Sequence, residues 1–195
     1  MQRSSTWIAD ELGQPRLDEP RSLFDLVNYQ MHMIESLSAS NVTRMCEGEF
    51  GITRREWRFI ALLAAVGEMA PSDLALRSGL DRSRTSKALM PLLAKRLIER
   101  RSQPGDRRRA SVALSAEGKA LYARIFPRVV EVNTALLDVL DQGDVATLAR
   151  LLTGLRRRAI EIANSGLVEA VADRRGGGSR RRWLGERALP PPRTS

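Results

Sequence analysis

RRSQPGDRRRASVALSAEG spans residues 100–118, and the rest of the chain is read outward from it. Its first ten positions hold Arg100, Arg101, Arg107, Arg108 and Arg109, with Asp106 among them just after Gln103-Pro104-Gly105. Guanidinium groups set this close repel one another, so the arrangement calls for a negatively charged partner outside the protein. Two short runs able to extend, Ile98–Arg101 and Ser111–Leu114, flank a turn, which predicts a β-hairpin with cations toward its tip. Ser115 is placed to cap a helix that follows, with Glu117 in its first turn.

Immediately upstream lie two short helical signals. Pro71-Ser72-Asp73 opens the first, with an acid suited to its N-terminal dipole, and Gly79 ends it. Asp81 caps the second, in which Thr85, Leu89 and Leu92 or Leu93 face inward. Ser83, Ser86, Lys87 and Met90 fall on the opposite face, and Arg82 and Arg84 stand near its exposed start. A short helix, a tight turn and a second helix match a helix-turn-helix.

Further out, Leu23–Met45 predicts one long helix, with Leu23, Leu26 or Val27, Met31, Ile34, Leu37 and Val42 close to helical spacing and Gly48 and Gly51 breaking it. Thr53-Arg54-Arg55-Glu56 has capping-box spacing, and the helix it opens is expected to bury Trp57, Ile60, Ala61 and Ala64 before stopping at Gly67. Beyond the hairpin, Leu121, Ile125, Val129, Val132, Leu136 and Leu140 form one apolar seam. After Asp141-Gln142-Gly143-Asp144, Val145, Leu148, Leu152, Leu155, Ala159 and Ile162 form another. Seams of this kind need a partner surface, and two of them near a terminus fit a subunit interface.

The formal net charge is +9. It is unevenly spread: residues 77–109 carry 11 basic and 3 acidic groups, whereas residues 1–76 carry 7 and 11. A concentrated basic block on a near-neutral body is the electrostatic footprint of a polyanion-binding protein. Residues 173–195 combine three consecutive glycines, three consecutive prolines and 7 arginines, too little apolar surface to offset ordering, and read as a disordered basic tail.

Enzymatic readings find no support. His32 and Cys46 occur once each, so neither a multi-histidine metal site nor an intrachain disulfide can form. On one helix the two would lie about 21 Å apart, too far to pair within a subunit. No phosphate-binding glycine loop is present, and GGGS at 176–179 lacks the Lys-Ser/Thr that would follow. We therefore expect no catalytic residues, no metal and no cofactor. No apolar run nears the ~20 residues a membrane span needs, and Met1–Pro20 does not resemble a signal peptide. A cytoplasmic protein is expected.

The order of elements resembles the MarR family of winged-helix regulators over roughly residues 21–165. The hairpin carries the strongest likeness: Asp106-x-Arg108, then Val112-x-Leu114-Ser115-x-x-Gly118. SDLALRSGLDRSRTSKALMPLLAKRLIERR (72–101) looks like the family's second and recognition helices. Arg96 departs from the pattern, since the family usually has a glycine where the recognition helix ends.

The resemblance implies a mainly α fold with a small β-hairpin wing, a winged helix-turn-helix joined to a helical dimerisation region. The divisions expected are an N-terminal extension (1–20), dimerisation segments (21–50 and 115–165), a DNA-binding domain (52–114) and the tail (173–195). It further implies a homodimer on a palindromic double-stranded operator. The recognition helices would enter major grooves, and the wings would place arginine in the narrow, strongly negative minor groove. Arg82, Ser83, Arg84, Ser86, Lys87, Arg107, Arg108 and Arg109 are the expected DNA-contacting residues, together with Asp106, whose expected role is to pair with Arg108 and hold the wing's shape. The function implied is a repressor released by a small aromatic or N-heteroaromatic carboxylate, held between dimerisation helices and DNA-binding domain by His32, Trp57 and Arg58. Arg54 is an alternative contact. Two other readings stand beside it: a non-specific architectural DNA- or RNA-binding protein, and a cysteine redox sensor using Cys46.

Overall fold

The computed structural model describes residues 13–103 and 106–168, giving the backbone alone for 102, 103 and 106–110. A 3-10 turn at Leu23–Asp25 precedes six α-helices and a two-stranded sheet among the described residues. The elements are α1 Val27–Glu49, α2 Arg54–Val66, α3 Pro71–Ser78, α4 Arg82–Ala94, β1 Ile98–Gln103, β2 Asp106–Leu114, α5 Ala116–Leu137 and α6 Gln142–Asn164. The fold is mainly helical with a small hairpin, as the sequence predicts. The tail, residues 1–12 and the Pro104-Gly105 turn lie outside the described residues.

Local chemistry accounts for most element ends. Thr53 and Glu56 form the expected reciprocal box at the start of α2. Asp81 accepts the Arg84 amide at 2.8 Å to cap α4, and Ser115 accepts the Gly118 amide at 3.0 Å to cap α5. Gly79 closes α3 in the left-handed conformation, φ 70°, where a side chain is disfavoured.

The expected single helix from Leu23 is in two pieces. Asp25 reaches back to accept from the amides of Arg16 at 2.9 Å and of Arg21 and Ser22 at 3.0 Å. These amides hold its carboxyl down to about 2. With the Ser22–Asp25 box closing the turn, Leu26 is extended (φ −79°, ψ 125°) and α1 begins at Val27. At the far end Gly48 does not break the helix. α1 runs to Glu49 and the chain reverses at Gly51, where Ile52 donates to the Cys46 carbonyl at 3.0 Å.

α2 is the hub of the core. It packs against α1, α3, α4, α5 and β2, so its buried face is broader than a one-sided stripe. Trp57 and Ile60 are buried as expected, but Phe59 and Leu63 are buried with them, while Ala61 and Ala64 are only partly covered. Leu74 of α3, Leu89 and Leu92 of α4, Val112 of β2 and Ile125 of α5 complete the centre, each with no more than 2% exposure. Full burial of such side chains stabilises the fold by about 1.5–3 kcal/mol apiece.

The two long seams behave differently. α5 ends at Leu137, so Leu140 lies in the turn before Asp141 rather than on the helix; Ile125 is its buried apolar anchor. α6 buries no residue at all. Leu151, Leu152 and Leu155 remain exposed, as do Met31, Ile34 and Leu37 on α1.

Candidate nucleic-acid interface and effector cleft

α4 owes its orientation to its inner face. Thr85, Ala88, Leu89 and Leu92 are buried, and the Thr85 hydroxyl donates to the Asp81 carbonyl at 2.9 Å, leaving no unsatisfied group inside. Arg82, Ser83, Arg84, Ser86, Lys87 and Met90 are consequently all exposed on one outward surface. Arg84 also lies 3.5 Å from Asp81 across one helical turn.

The helix does not run out in a glycine. Lys95 is its C-cap, and Arg96 takes the left-handed conformation at φ 56°, the one non-glycine residue with positive φ among those described. The departure seen in the sequence is therefore a place where an arginine occupies glycine's backbone. The Ser115 hydroxyl donates to the Arg96 carbonyl at 2.6 Å. Gly118 lets this junction close: a Cβ there would meet the Leu97 carbonyl oxygen at 1.9 Å.

The wing is an antiparallel hairpin, paired Ile98 with Leu114, Arg100 with Val112 and Arg101 with Ser111. Both strands are longer than the sequence indicated. The register shifts between Arg101 and Gln103, which pairs with Asp106, so residues 107–110 of β2 stand opposite Ser102 alone. The shift falls on Arg107, Arg108 and Arg109, whose side chains, like that of Asp106, lie outside the described residues. At the wing's base a different acid does the organising. Met69 and Val112 exchange backbone hydrogen bonds at 3.1 and 2.9 Å. Beside them Glu68 accepts from the Ser111 hydroxyl and from Arg101 at 3.0 Å. Arg101 also donates to Glu99 at 2.9 Å, so this wing arginine is engaged within the protein. The Ser111 and Arg101 hydrogen bonds hold the Glu68 carboxyl below its ordinary range. Partners 33 and 43 residues apart leave no periodic trace, so the sequence carries no signal that points to Glu68.

A second feature opens on the other side of α2. A cleft of about 430 Å³ lies between α1, α2 and α5, with Ala39, Val42, Trp57, Leu62, Val129 and Val132 in its apolar lining. Glu35, Arg54 and Arg58 also line it. Arg54 forms a hydrogen-bonded ion pair with Glu35, and Arg58 lies 3.6 Å from the same carboxylate oxygen. The Arg54 hydrogen bond, with the charges of both arginines, keeps the Glu35 carboxyl ionised below its usual range. Two cations against one anion leave the group with one net positive charge. Trp57 stacks on Tyr122 (centroids 5.6 Å apart, 14° between planes), and Tyr122 in turn on Phe126. Of the expected contacts, Trp57 and Arg58 line the cleft, as does Arg54. His32 does not: it is exposed on α1, with Nε2 3.5 Å from the Ser36 hydroxyl.

Cys46 is wholly buried, and burial pushes its thiol upward. That disfavours the thiolate a redox sensor needs. Among the described residues no cluster of three or more potential metal ligands occurs, and no helix is long and apolar enough to cross a membrane.

A sequence model of the MarR family matches residues 50–109, the stretch from the start of α2 to the wing. The HTH-type transcriptional regulator FarR of Neisseria gonorrhoeae is 33% identical over 106 residues, covering 54% of this chain and 73% of that protein. The chain belongs to the MarR family. Solved structures agree with this MarR-family assignment. NadR in complex with 4-hydroxyphenylacetate matches with a TM-score of 0.60 at 28% identity, over 70% of this chain and 96% of that one. The MarR/EmrR family regulator from Acinetobacter sp. ADP1 matches with a TM-score of 0.63 over 69% and 94% of the two chains; at 24% identity it speaks to the fold. This MarR-family protein is thus a winged helix-turn-helix transcriptional regulator, with α3 and α4 as the helix-turn-helix and β1–β2 as the wing.

Proposed function

We propose that this regulator is a cytoplasmic homodimeric repressor that binds a palindromic operator and is released by a small aromatic or N-heteroaromatic carboxylate. Residues 52–114 would form the DNA-binding domain, and 21–50 with 115–165 the dimerisation region. Arg82, Ser83, Arg84, Ser86 and Lys87 would face bases and phosphates of the major groove. Arg107, Arg108 and Arg109 would reach the minor groove, with Asp106 shaping the wing. The exposed apolar residues of α1 and α6 support a subunit interface, since a lone protomer leaves them in water.

The observation that carries the effector reading is the net positive charge at an apolar cleft that Trp57 helps to line. Such a site favours a planar ring bearing one carboxylate. The carboxylate is assigned to Arg54 and Arg58, because His32 stands outside the cleft. One face of Trp57 is taken by Tyr122, so the ring would meet its remaining surface. NadR's structure with 4-hydroxyphenylacetate makes that compound the first to try.

The test begins with selection of a preferred duplex from a random pool, in competition with scrambled duplex. No preference would favour an architectural protein and end the repressor reading. Lys87→Ala and Arg108→Ala should then each weaken binding and, where a phosphate contact is lost, lower the salt slope by about 0.9. A panel of aromatic carboxylates, led by 4-hydroxyphenylacetate, is titrated into the complex. A true effector weakens binding by roughly 5–150-fold, and Arg58→Ala should blunt that response without changing ligand-free DNA affinity.

A further inference from the structure

Glu56 is the one buried charged side chain among the described residues, at 4% exposure. Capping a helix does not require this, since Asp81 and Ser115 cap α4 and α5 from partly exposed positions. What sets Glu56 apart is its second partner. Its Oε2 accepts the Thr53 amide at 2.6 Å, and its two oxygens receive the Lys95 ammonium at 2.9 and 3.1 Å. Lys95 donates also to the Gly51 carbonyl at 2.9 Å. Only the carboxylate is buried, since the Lys95 side chain keeps 40% of its exposure. Such a half-buried ion pair adds little net stability, because desolvation of the carboxylate and screening of the ammonium offset most of the attraction. What it does well is select one geometry, since a displaced partner leaves a charge uncompensated.

The pair sits at a junction. Lys95 is the C-cap of α4, and the next carbonyl, that of Arg96, is held by Ser115 at the start of α5. The end of the recognition helix is therefore gripped from two sides, by the first turn of α2 and by the cap of α5. The same end of α2 supplies Arg54, Trp57 and Arg58 to the cleft.

We propose that Lys95 acts inward, as a positioning residue: its ion pair with Glu56 sets the attitude of α4 on DNA and thereby the discrimination between sequences. Lys95 ends a helix whose outward cations face DNA, yet its own charge is held by a carboxylate and a carbonyl. The inference rests on α4 being the helix that reads the operator.

Full-length wild type, Lys95→Met, Lys95→Arg and Glu56→Gln are compared on the selected duplex and a scrambled one, over a range of salt. Lys95→Met and Glu56→Gln should each lower the ratio of selected to scrambled affinity by about tenfold. Lys95→Arg should stay close to wild type, and all salt slopes should stay unchanged. Loss of folded protein lowers both affinities together and leaves their ratio alone, so an unchanged ratio overturns the proposal whatever the melting temperature. A slope reduced by about 0.9 in Lys95→Met makes Lys95 a phosphate contact and overturns it too. So does tighter binding by Glu56→Gln, which would make net charge the whole effect. A wild type without sequence preference removes the sequence-specific reading itself, an outcome seen before any variant is examined.

Discussion

α2 and α6 both carry apolar residues that recur along a helix, and the two sets meet opposite fates. In α2, Trp57, Phe59, Ile60 and Leu63 disappear into a core shared with four helices and a strand. In α6, Val145, Leu148, Leu152 and Leu155 line up at helical spacing, and none is buried. Periodicity specifies that a face must be covered, but topology decides what covers it. The α2 face is satisfied by segments on both sides of it in the chain, from α1 before it to α5 well after it. The α6 face is left uncovered by the rest of the described residues.

That contrast can be broken or sharpened by experiment. Phe59→Ala should produce the largest loss, about 3–5 kcal/mol of unfolding free energy, read by thermal or denaturant melting. The loss should be the same at every protein concentration, because the cavity lies within one protomer. Leu152→Asp should cost on the order of 3 kcal/mol per buried unpaired carboxylate, and its effect should depend on concentration. Sedimentation should show wild-type dimers at micromolar concentration and dissociated variant. Wild-type monomers there would sink the account of α6.

A smaller effect concerns acid stability. Burial pushes the Glu56 carboxyl upward, but the Thr53 amide and the Lys95 ammonium outweigh it, and the net direction is downward. A carboxyl lowered on folding stabilises the fold above its unfolded value of about 4.3 and loses that contribution as pH falls through the folded value. Glu56→Gln should therefore flatten the acid limb of the melting profile, and an unchanged limb would remove Glu56 from the acid response. The smallest effect is a gain. Relieving a left-handed L-residue returns roughly 1–2 kcal/mol, of which glycine's unfolded freedom takes back about 0.5–1. Arg96→Gly should thus raise stability by about 0.5–1 kcal/mol, a shift of a few degrees; a lower melting temperature would show that the arginine side chain contributes more than its backbone costs.

The legible parts of the molecule were those written over three or four residues. The Thr53–Glu56 box, the Asp81 cap and the Ser115 cap each sit within one turn, and all three form as read. The outward set Arg82, Ser83, Arg84, Ser86 and Lys87 followed from the inward one, since a helix has only one buried face here. Contacts across long separations were not legible. Nothing near Glu56 in the sequence points to Lys95, 39 residues on, and nothing near Arg101 points back to Glu68. His32 shows a different limit: it shares a helical face with Glu35 and Ala39, three and seven residues on, but where along α1 the cleft opens is set by packing, and its lining begins one turn later, at Glu35. The break at Leu26 depends on Asp25 gathering amides from Arg16, Arg21 and Ser22, a closure that apolar spacing does not register.

The bare α6 seam has a genetic consequence. If it joins two copies, a copy with a ruined α4 still offers a sound seam and will capture healthy chains. A repressor whose operator needs both halves would then fail in mixed pairs. Lesions in the DNA-reading helix should therefore behave as dominant in a cell carrying both alleles, whereas lesions that destroy α6 should be recessive, because such a chain meets no one.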